Sequence, residues 1–302
     1  MAAIYHPGEL TVQARAGYRE MADRVGKSIR TTIPAAAQEF LRSQPMAIIG
    51  TLDADGRQWT SLLTGRPGFM QLVNDQTVRI DARPVTGDPL AESLAAGGQV
   101  GMIVIDFATR RRMRLNGRAE VRSNGTILLH AQQVYANCPK YIQARQWQRA
   151  TDEPDITPRI RRAPSLTERQ RHWIREADTF FIASRHQDGG MDASHRGGNP
   201  GFVHVVNGSR LVWPDYSGNM MFQTLGNIAA DPHTGLLFLD FESGSTLQLT
   251  GKARINWDPA QAASVPGAER LVEFEIDEVI ELTGASPLRW RLIDYSPFNP
   301  GR

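Results

Sequence analysis

The sequence predicts a mainly β protein with peripheral helices, of the α+β class, built as two tandem antiparallel barrels related like the halves of an internal pseudo-dimer. Three observations predict it. First, the chain repeats itself. Gly50–Phe69 (GTLDADGRQWTSLLTGRPGF) aligns without a gap on Ala183–Phe202 (ASRHQDGGMDASHRGGNPGF), which places Ser61 on Ser194 and Pro67-Gly68-Phe69 on Pro200-Gly201-Phe202. After one residue of slippage, Gly101–Phe107 (GMIVIDF) matches Gly235–Phe241 (GLLFLDF), and Met113–Val121 (MRLNGRAEV) matches Leu247–Ile255 (LQLTGKARI). A period far longer than a solenoid unit means a whole domain copied and fused. Second, each copy alternates short apolar, partly β-branched runs with Asx-Gly turns, the pattern of hairpin-connected strands. Third, 302 residues with 41% hydrophobic content suffice for two ordinary cores.

Residues 1–45 form a helical preface. Glu9–Gly26 reads as helix, and Pro34–Arg42 as a second, shorter helix with proline at its start. The first repeat, 46–125, opens with the strand Met46–Leu52, turns at Asp53–Gly56 and returns along Gln58–Leu63. The matching turn in the second copy is Asp188-Gly189. A hairpin of Phe69–Asn74 and Thr77–Asp81 follows, and its counterpart turns at Asn207-Gly208, a strong hairpin signal. Each copy then has a short helix, Asp88–Ala96 or Met220–Ala230, and two long strands: Val100–Phe107 and Arg112–Val121, mirrored by Gly235–Phe241 and Thr246–Ile255. Residues 126–177 read as a connector. In it Ile127–Trp147 looks helical with a break at Asn137-Cys138-Pro139, Thr151–Pro164 is a linker, and Leu166–Ala177 is a helix that Thr167 caps if it starts there. The second repeat, 178–302, ends in two further strands or edge segments, Leu271–Leu282 and Leu288–Asp294. Five or six strands per copy suit a barrel that closes on itself and so hides its edges.

The bulk chemistry narrows the function. A net charge of +2 gives no general reason to expect nucleic acid. The single cysteine, Cys138, excludes an intrachain disulfide and any multi-cysteine metal centre, and His186, His195 and His204 lack zinc-site spacing, so no metal is expected. The start, MAAIYHPGEL, has no signal-peptide pattern, and no stretch of about 18 apolar residues occurs. The expectation is a cytoplasmic protein with no membrane partner.

Two barrels packed side by side create a long interface, a favoured place for a cofactor. The second copy carries the more polar constellation. His195 and Arg196 stand where the first copy has Leu62 and Leu63. Across the hairpin, Asp215-Tyr216-Ser217-Gly218-Asn219 leads toward a helix whose first N–H groups, with Ser217 and Asn219, would make a phosphate cradle. Arg196 could add a charge-assisted fork. The arginine run Arg110-Arg111-Arg112 with Arg114 reads either as a solvated turn or as contacts to a phosphate-bearing ligand.

The pattern FIAS…DASHRGGNPGFV…LVWPDYSGNMMFQTLGNI…GLLFLDF…LQLTGKA, with the segment NCPKYIQ at Asn137–Gln143 between the copies, resembles the pyridoxamine 5'-phosphate oxidase-like family of FMN-binding split barrels, and within it the tandem bacterial members. The resemblance covers roughly residues 6 to 256. It implies two tandem split β-barrels and a non-covalent FMN at a barrel–barrel interface. Carried over residue by residue, it implies that Ser194, Arg196 and Gly197 lie along the ribityl-phosphate, and that Tyr216, Ser217 and Asn219, with Asp215 beside them, hold the phosphate end. Asn227 on the following helix is a further contact, and Lys140 and Tyr141 approach from the inter-copy segment. The chain departs from the family at its tail. The oxidase proper carries a C-terminal Arg-x-His pair, where this chain has Arg289-Trp290-Arg291. Oxidation of pyridoxamine phosphate itself is therefore not the expectation.

The leading expectation is an FMN-dependent oxidoreductase that passes electrons from NAD(P)H or a small organic substrate to oxygen or a small acceptor, with His195 and Tyr216 assisting proton transfer. Two alternatives stand beside it: an FMN-binding protein without turnover that stores flavin or senses redox state, and a binder of a related ligand, deazaflavin or haem, with His195 as the axial candidate. Homodimerisation is a further expectation, as is a poorer second site around Ser61, Arg66 and Arg83.

Overall fold

The structure, a computed structural model, describes residues 4–150, 158–186 and 190–301. The expected turn at Asp188-Gly189 and the first half of the expected linker lie outside these residues. The chain begins with the helices α1 (Pro7–Arg15), α2 (Arg19–Gly26) and α3 (Ala37–Ser43). The first sheet follows: β1 (Met46–Leu52), β2 (Gln58–Thr64), β3 (Met70–Asn74), β4 (Thr77–Ile80), helix α4 (Leu90–Ala96), β5 (Gly98–Asp106), β6 (Arg111–Val121) and β7 (Ile127–Ala136). The connector holds β8 (Ala144–Arg149), β9 (Arg159–Ala163) and α5 (Glu168–Glu176). The second sheet contains β10 (Thr179–Arg185), β11 (Met191–Gly197), β12 (His204–Val205), β13 (Arg210–Tyr216), helix α6 (Gln223–Ala230), β14 (His233–Leu239), β15 (Thr246–Asn256), helix α7 (Pro259–Ala263) and β16 (Ala268–Thr283), before β17 (Leu288–Asp294) pairs with β8.

The two sheets have one topology. The first runs β2-β1-β5-β6-β7-β4-β3, and the second runs β11-β10-β14-β15-β16-β13-β12, the same order strand for strand. Every pairing is antiparallel. Each copy is a split β-barrel around its own core. Ile49, Leu63, Val104 and Leu115 lie in the first core, and Ile182, Trp213, Phe238 and Leu249 in the second. The alternate residues of the same strands, Ile48, Leu62, Ile103, Phe181 and Leu237, form a third core between the barrels. Strands buried on both faces read as unbroken apolar runs, which is why MAIIG, GMIVIDF and GLLFLDF stand out in the sequence.

The joint has pseudo-two-fold character. β2 packs on β14 and β15, and β11 packs on β5 and β6. Glycines permit it: a Cβ on Gly101 would stand 2.5 Å from the Asp192 carbonyl carbon, and one on Gly235 would stand 2.6 Å from the Gln58 carbonyl oxygen. No side chain fits at either position. The Thr60 hydroxyl then donates to the Gly235 carbonyl across the joint at 2.7 Å.

Several expected elements change. Ile127–Trp147 is not helical but supplies β7 and β8. The cause is a bulge: the β6–β7 register slips between Asn116 and Gly117. It shifts the phase of burial from Leu129 and Ala131 to Val134, giving apolar spacings that mimic a helix. The expected tail strand Leu271–Leu282 lies within β16, the counterpart of β7, and the barrel sheets have seven and, counting β9, eight strands instead of five or six. The longer loop holding α7 hid that equivalence. Helix α6 starts at Gln223, later than Met220, because Met220 and Phe222 adopt positive φ of 62° and 59°. Part of the expected linker, Arg159–Ala163, pairs with β16 as a strand. Thr167 does cap α5, accepting from the Gln170 N–H while the Gln170 side chain accepts from Thr167 N–H at 2.9 Å.

The bulge recurs in the second copy between Thr250 and Gly251. A Cβ on Gly117 would lie 1.9 Å from the His130 carbonyl oxygen, and one on Gly251 would lie 2.0 Å from that of Glu275. Gly251→Ala must therefore push two strands apart. Its expected cost is about 1–3 kcal/mol, seen as a Tm several degrees lower; an unchanged Tm would contradict this packing.

Candidate functional site

The polar residues of β11 meet the arginines of β6 in the crevice between the barrels. Arg114 donates from Nη1 to Asp192 Oδ2 at 2.8 Å and from Nη2 to the Ser194 hydroxyl. Arg196 reaches the same hydroxyl at 2.8 Å. Arg112 Nη1 lies 2.9 Å from His195 Nδ1. An arginine can only donate, so His195 accepts through Nδ1 and carries its proton on Nε2.

Charge in this pocket is unbalanced. Asp192 neutralises Arg114, and Asp215 accepts from Arg270 at 2.8 Å. Arg112 and Arg196 form no ion pair with a carboxylate among the described residues, and Lys140 and Arg114 line the same cavity. Burial, reinforced by the neighbouring Arg114, pulls Arg112 down to about 10. Burial and the charge of Arg112 hold His195 well below its ordinary value, so the imidazole is neutral. Burial also lowers Arg196 and raises Asp215. Among the residues lining the pocket, the buried donors Arg112 Nε, Arg114 Nε and His195 Nε2, and the acceptor Asn137 Oδ1, have no hydrogen-bond partner. An uncompensated cluster of this kind costs several kcal/mol per ion unless an anion enters it.

The structure brings most of the sequence-derived candidates to this pocket. Lys140, Tyr141, His195, Arg196, Gly197, Asp215, Tyr216 and Asn219 line it, with Cys138 beside Arg112. Ser194 stands behind the wall as the hydroxyl that Arg114 and Arg196 share. Tyr141 packs its ring on Tyr216 at 5.1 Å and donates to the Ser217 carbonyl at 2.9 Å. Ser217 contributes that carbonyl but does not line the cavity. Asn219 caps the turn, accepting from the Met221 N–H at 3.1 Å. Asn227 lies elsewhere: it accepts at 2.9 Å from His6 Nε2 and donates at 3.0 Å to Ser184, in a separate cavity at the Asp192 end of the crevice. The left-handed residues ahead of α6 remove the expected helical cradle from Ser217 and Asn219.

Sequence reasoning left Arg112 and Arg114 undecided between turn and ligand contact. They come from the opposite barrel, so only the fold unites them with Arg196. The repeat did hold the signal, because the second copy has Thr246 and Gln248 at the equivalent positions.

The pseudo-equivalent position on the other side of the joint is closed. There Leu62, Leu63, Thr246 and Gln248 stand in the places of His195, Arg196, Arg112 and Arg114. The buried carboxylate of Asp88 fills the space, accepting from the Ser61 hydroxyl at 2.6 Å, the Leu90 N–H at 2.9 Å and Gln248 Nε2 at 3.1 Å. Arg66 and Arg83 point away as exposed residues. The expected poorer site around Ser61 is thus taken by the chain's own acid.

Comparison with known proteins gives one family. A family model described as pyridoxamine 5'-phosphate oxidase matches residues 33–159 and again 166–283. No curated protein matches the chain. Among solved structures, a protein related to general stress protein 26, of the pyridoxinephosphate oxidase family, from Clostridium acetobutylicum is 11% identical, covering 41% of this chain and 92% of its own at a TM-score of 0.30. An FMN-binding protein from Syntrophomonas wolfei is 7% identical, covering 37% and 84% at 0.28. A FAD-binding protein from Mesorhizobium loti is 11% identical, covering 41% and 98% at 0.28.

One acid in the crevice sets a pH dependence. Burial, with a contribution from Asp192, pushes Glu9 up to about 8. A carboxyl raised on folding stabilises the fold least where only the unfolded chain is ionised. Stability from this group is complete below the ordinary glutamate value and is lost as pH rises toward 8, by up to about 1.4 kcal/mol per pH unit. Glu9→Gln should therefore gain on the native protein as pH rises from 5 to 8 in urea unfolding. Parallel stability curves would contradict the buried, protonated state.

Proposed function

Since the chain belongs to the pyridoxamine 5'-phosphate oxidase family, we propose that it is an FMN-dependent oxidoreductase with one flavin held between its two barrels. The observation that carries this reading is the cation cluster of Arg112, Arg114 and Arg196, which lacks enough carboxylates to balance it. A phosphate dianion supplies the missing charge, and its oxygens can accept from Arg112 and Arg196 in the paired geometry that guanidinium favours. The orphaned donors Arg112 Nε and His195 Nε2–H fit a ligand rich in acceptors.

Bound FMN would supply two-electron transfer between a reduced donor, NAD(P)H or a small organic molecule, and oxygen or a small acceptor. The chain's residues do the rest. Arg112 fixes the His195 tautomer, so that Nε2 is the atom from which a proton can be offered. Tyr216 keeps its hydroxyl protonated, because burial raises it above its ordinary value. Tyr141 and Tyr216 form the aromatic wall that excludes water.

The tail supports a substrate other than pyridoxamine phosphate. Arg289 and Trp290 sit on β17, paired with β8; Arg289 bonds the Ser286 carbonyl at 2.8 Å and Trp290 is buried. Neither lines the cation pocket.

The test is spectroscopic. Protein loaded with FMN should bleach near 450 nm (approximate, as protein contacts tune the flavin) on anaerobic addition of NADH or NADPH and recover in air. Flavin that stays oxidised with both, and with small organic reductants, would leave a flavin carrier in place of an enzyme.

A further inference from the structure

At the Asp192 end of the crevice, beyond Arg114, lies a second cavity of about 360 Å³. Its chemistry is opposite to that of the cation pocket. Among the described residues neither lysine nor arginine lines it, whereas two carboxyl groups do, Glu9 and Asp192. Asp192 is an anchored carboxylate. Arg114 grips one oxygen from behind, while the Tyr135 hydroxyl at 2.8 Å and Asn116 Nδ2 at 3.2 Å hold the other. Glu9 comes from α1, which is pressed so closely on α6 that a Cβ on Gly226 would lie 2.5 Å from Glu9 Cα. One of its oxygens accepts the His6 N–H at 2.8 Å.

Two further features point to a ligand. Asn116 is 6% exposed and lines the cavity, yet its Oδ1 has no hydrogen-bond partner. The imidazoles of His6 and His186 stack at 4.3 Å with 14° between their planes, which gives the cavity a flat, π-rich wall. Acceptors, a flat imidazole wall and, among the described residues, no lysine or arginine favour a planar donor-rich cation over an anion or an apolar molecule.

We propose that this cavity is a binding site for a planar organic cation of the amidinium or guanidinium class, held by Glu9, Asp192 and Asn116 Oδ1. The cation's N–H groups would satisfy the open Asn116 Oδ1, and its charge would answer that of Glu9, since Asp192 is already paired with Arg114. Burial, with a contribution from Asp192, raises Glu9 to about 8, and a cation beside it would pull it back down. The site shares neither Arg112 nor Arg196 with the cation pocket, although Gln223 lines both cavities and the Arg114–Asp192 pair lies between them.

Benzamidine and its neutral isostere benzamide test the proposal on the unmodified protein, by titration calorimetry at pH 7.5. Benzamidinium should bind at least about tenfold more tightly than benzamide, roughly the worth of one charge-assisted hydrogen bond. Equal affinities, or no benzamidinium binding at millimolar concentration, would overturn the proposal without any variant. Glu9→Gln keeps an oxygen for the His6 N–H, so it should fold and lose that preference for the cation. Met191→Trp should fill the cavity and abolish binding. Retained benzamidinium affinity in both variants would place the ligand elsewhere. Flavin content should be unchanged in both variants, so that its loss would implicate the other pocket.

Discussion

The close approach of two backbones at Gly101 and Gly235 governs this molecule. Each glycine lets a strand of one barrel lie directly on a strand of the other, with distances at which any side chain would clash. Once the backbones touch there, β11 runs alongside β6, and β2 alongside β15. The apolar third core of Ile48, Ile103, Phe181 and Leu237 seals the middle of the joint. The polar side chains of β11 and β6 are then forced into a crevice away from bulk water, where an unbalanced charge is strongly felt.

Duplication makes the geometry symmetric, and substitution makes the chemistry asymmetric. The same two strand neighbours meet on both sides of the joint, so Arg114 contacts Ser194 and Gln248 contacts Ser61 at equivalent places. On one side three arginines surround an open cavity. On the other, leucines replace His195 and Arg196, and the acid Asp88 takes up the remaining donors. A homodimer of single barrels would have to keep both sides alike. Fusion frees one side to hold a ligand and the other to hold the barrels together.

The sequence disclosed the fold through its repeat and its doubly buried strands, since both depend on local pattern alone. It concealed β7 because the bulge at Gly117 changes the phase of burial in mid-strand. Of the site, the half on β11 and β13 was legible, because Ser194, Arg196 and Tyr216 lie close together in the chain. The half supplied by Arg112 and Arg114 was ambiguous, because a run of arginines means nothing until the opposite barrel stands over it. The place of Asn227 was hidden for a related reason. It sits on α6, toward the His6 and Asp192 end of the crevice.

The central claim is that one side of this joint, and only one, is built for a phosphate-bearing flavin. Titration of flavin-free protein with FMN and with riboflavin tests it most directly. The account predicts one FMN per chain, with riboflavin weaker by at least about tenfold, as expected for loss of one or more charge-assisted contacts. Two equivalents of FMN, or riboflavin bound as tightly as FMN, would contradict it.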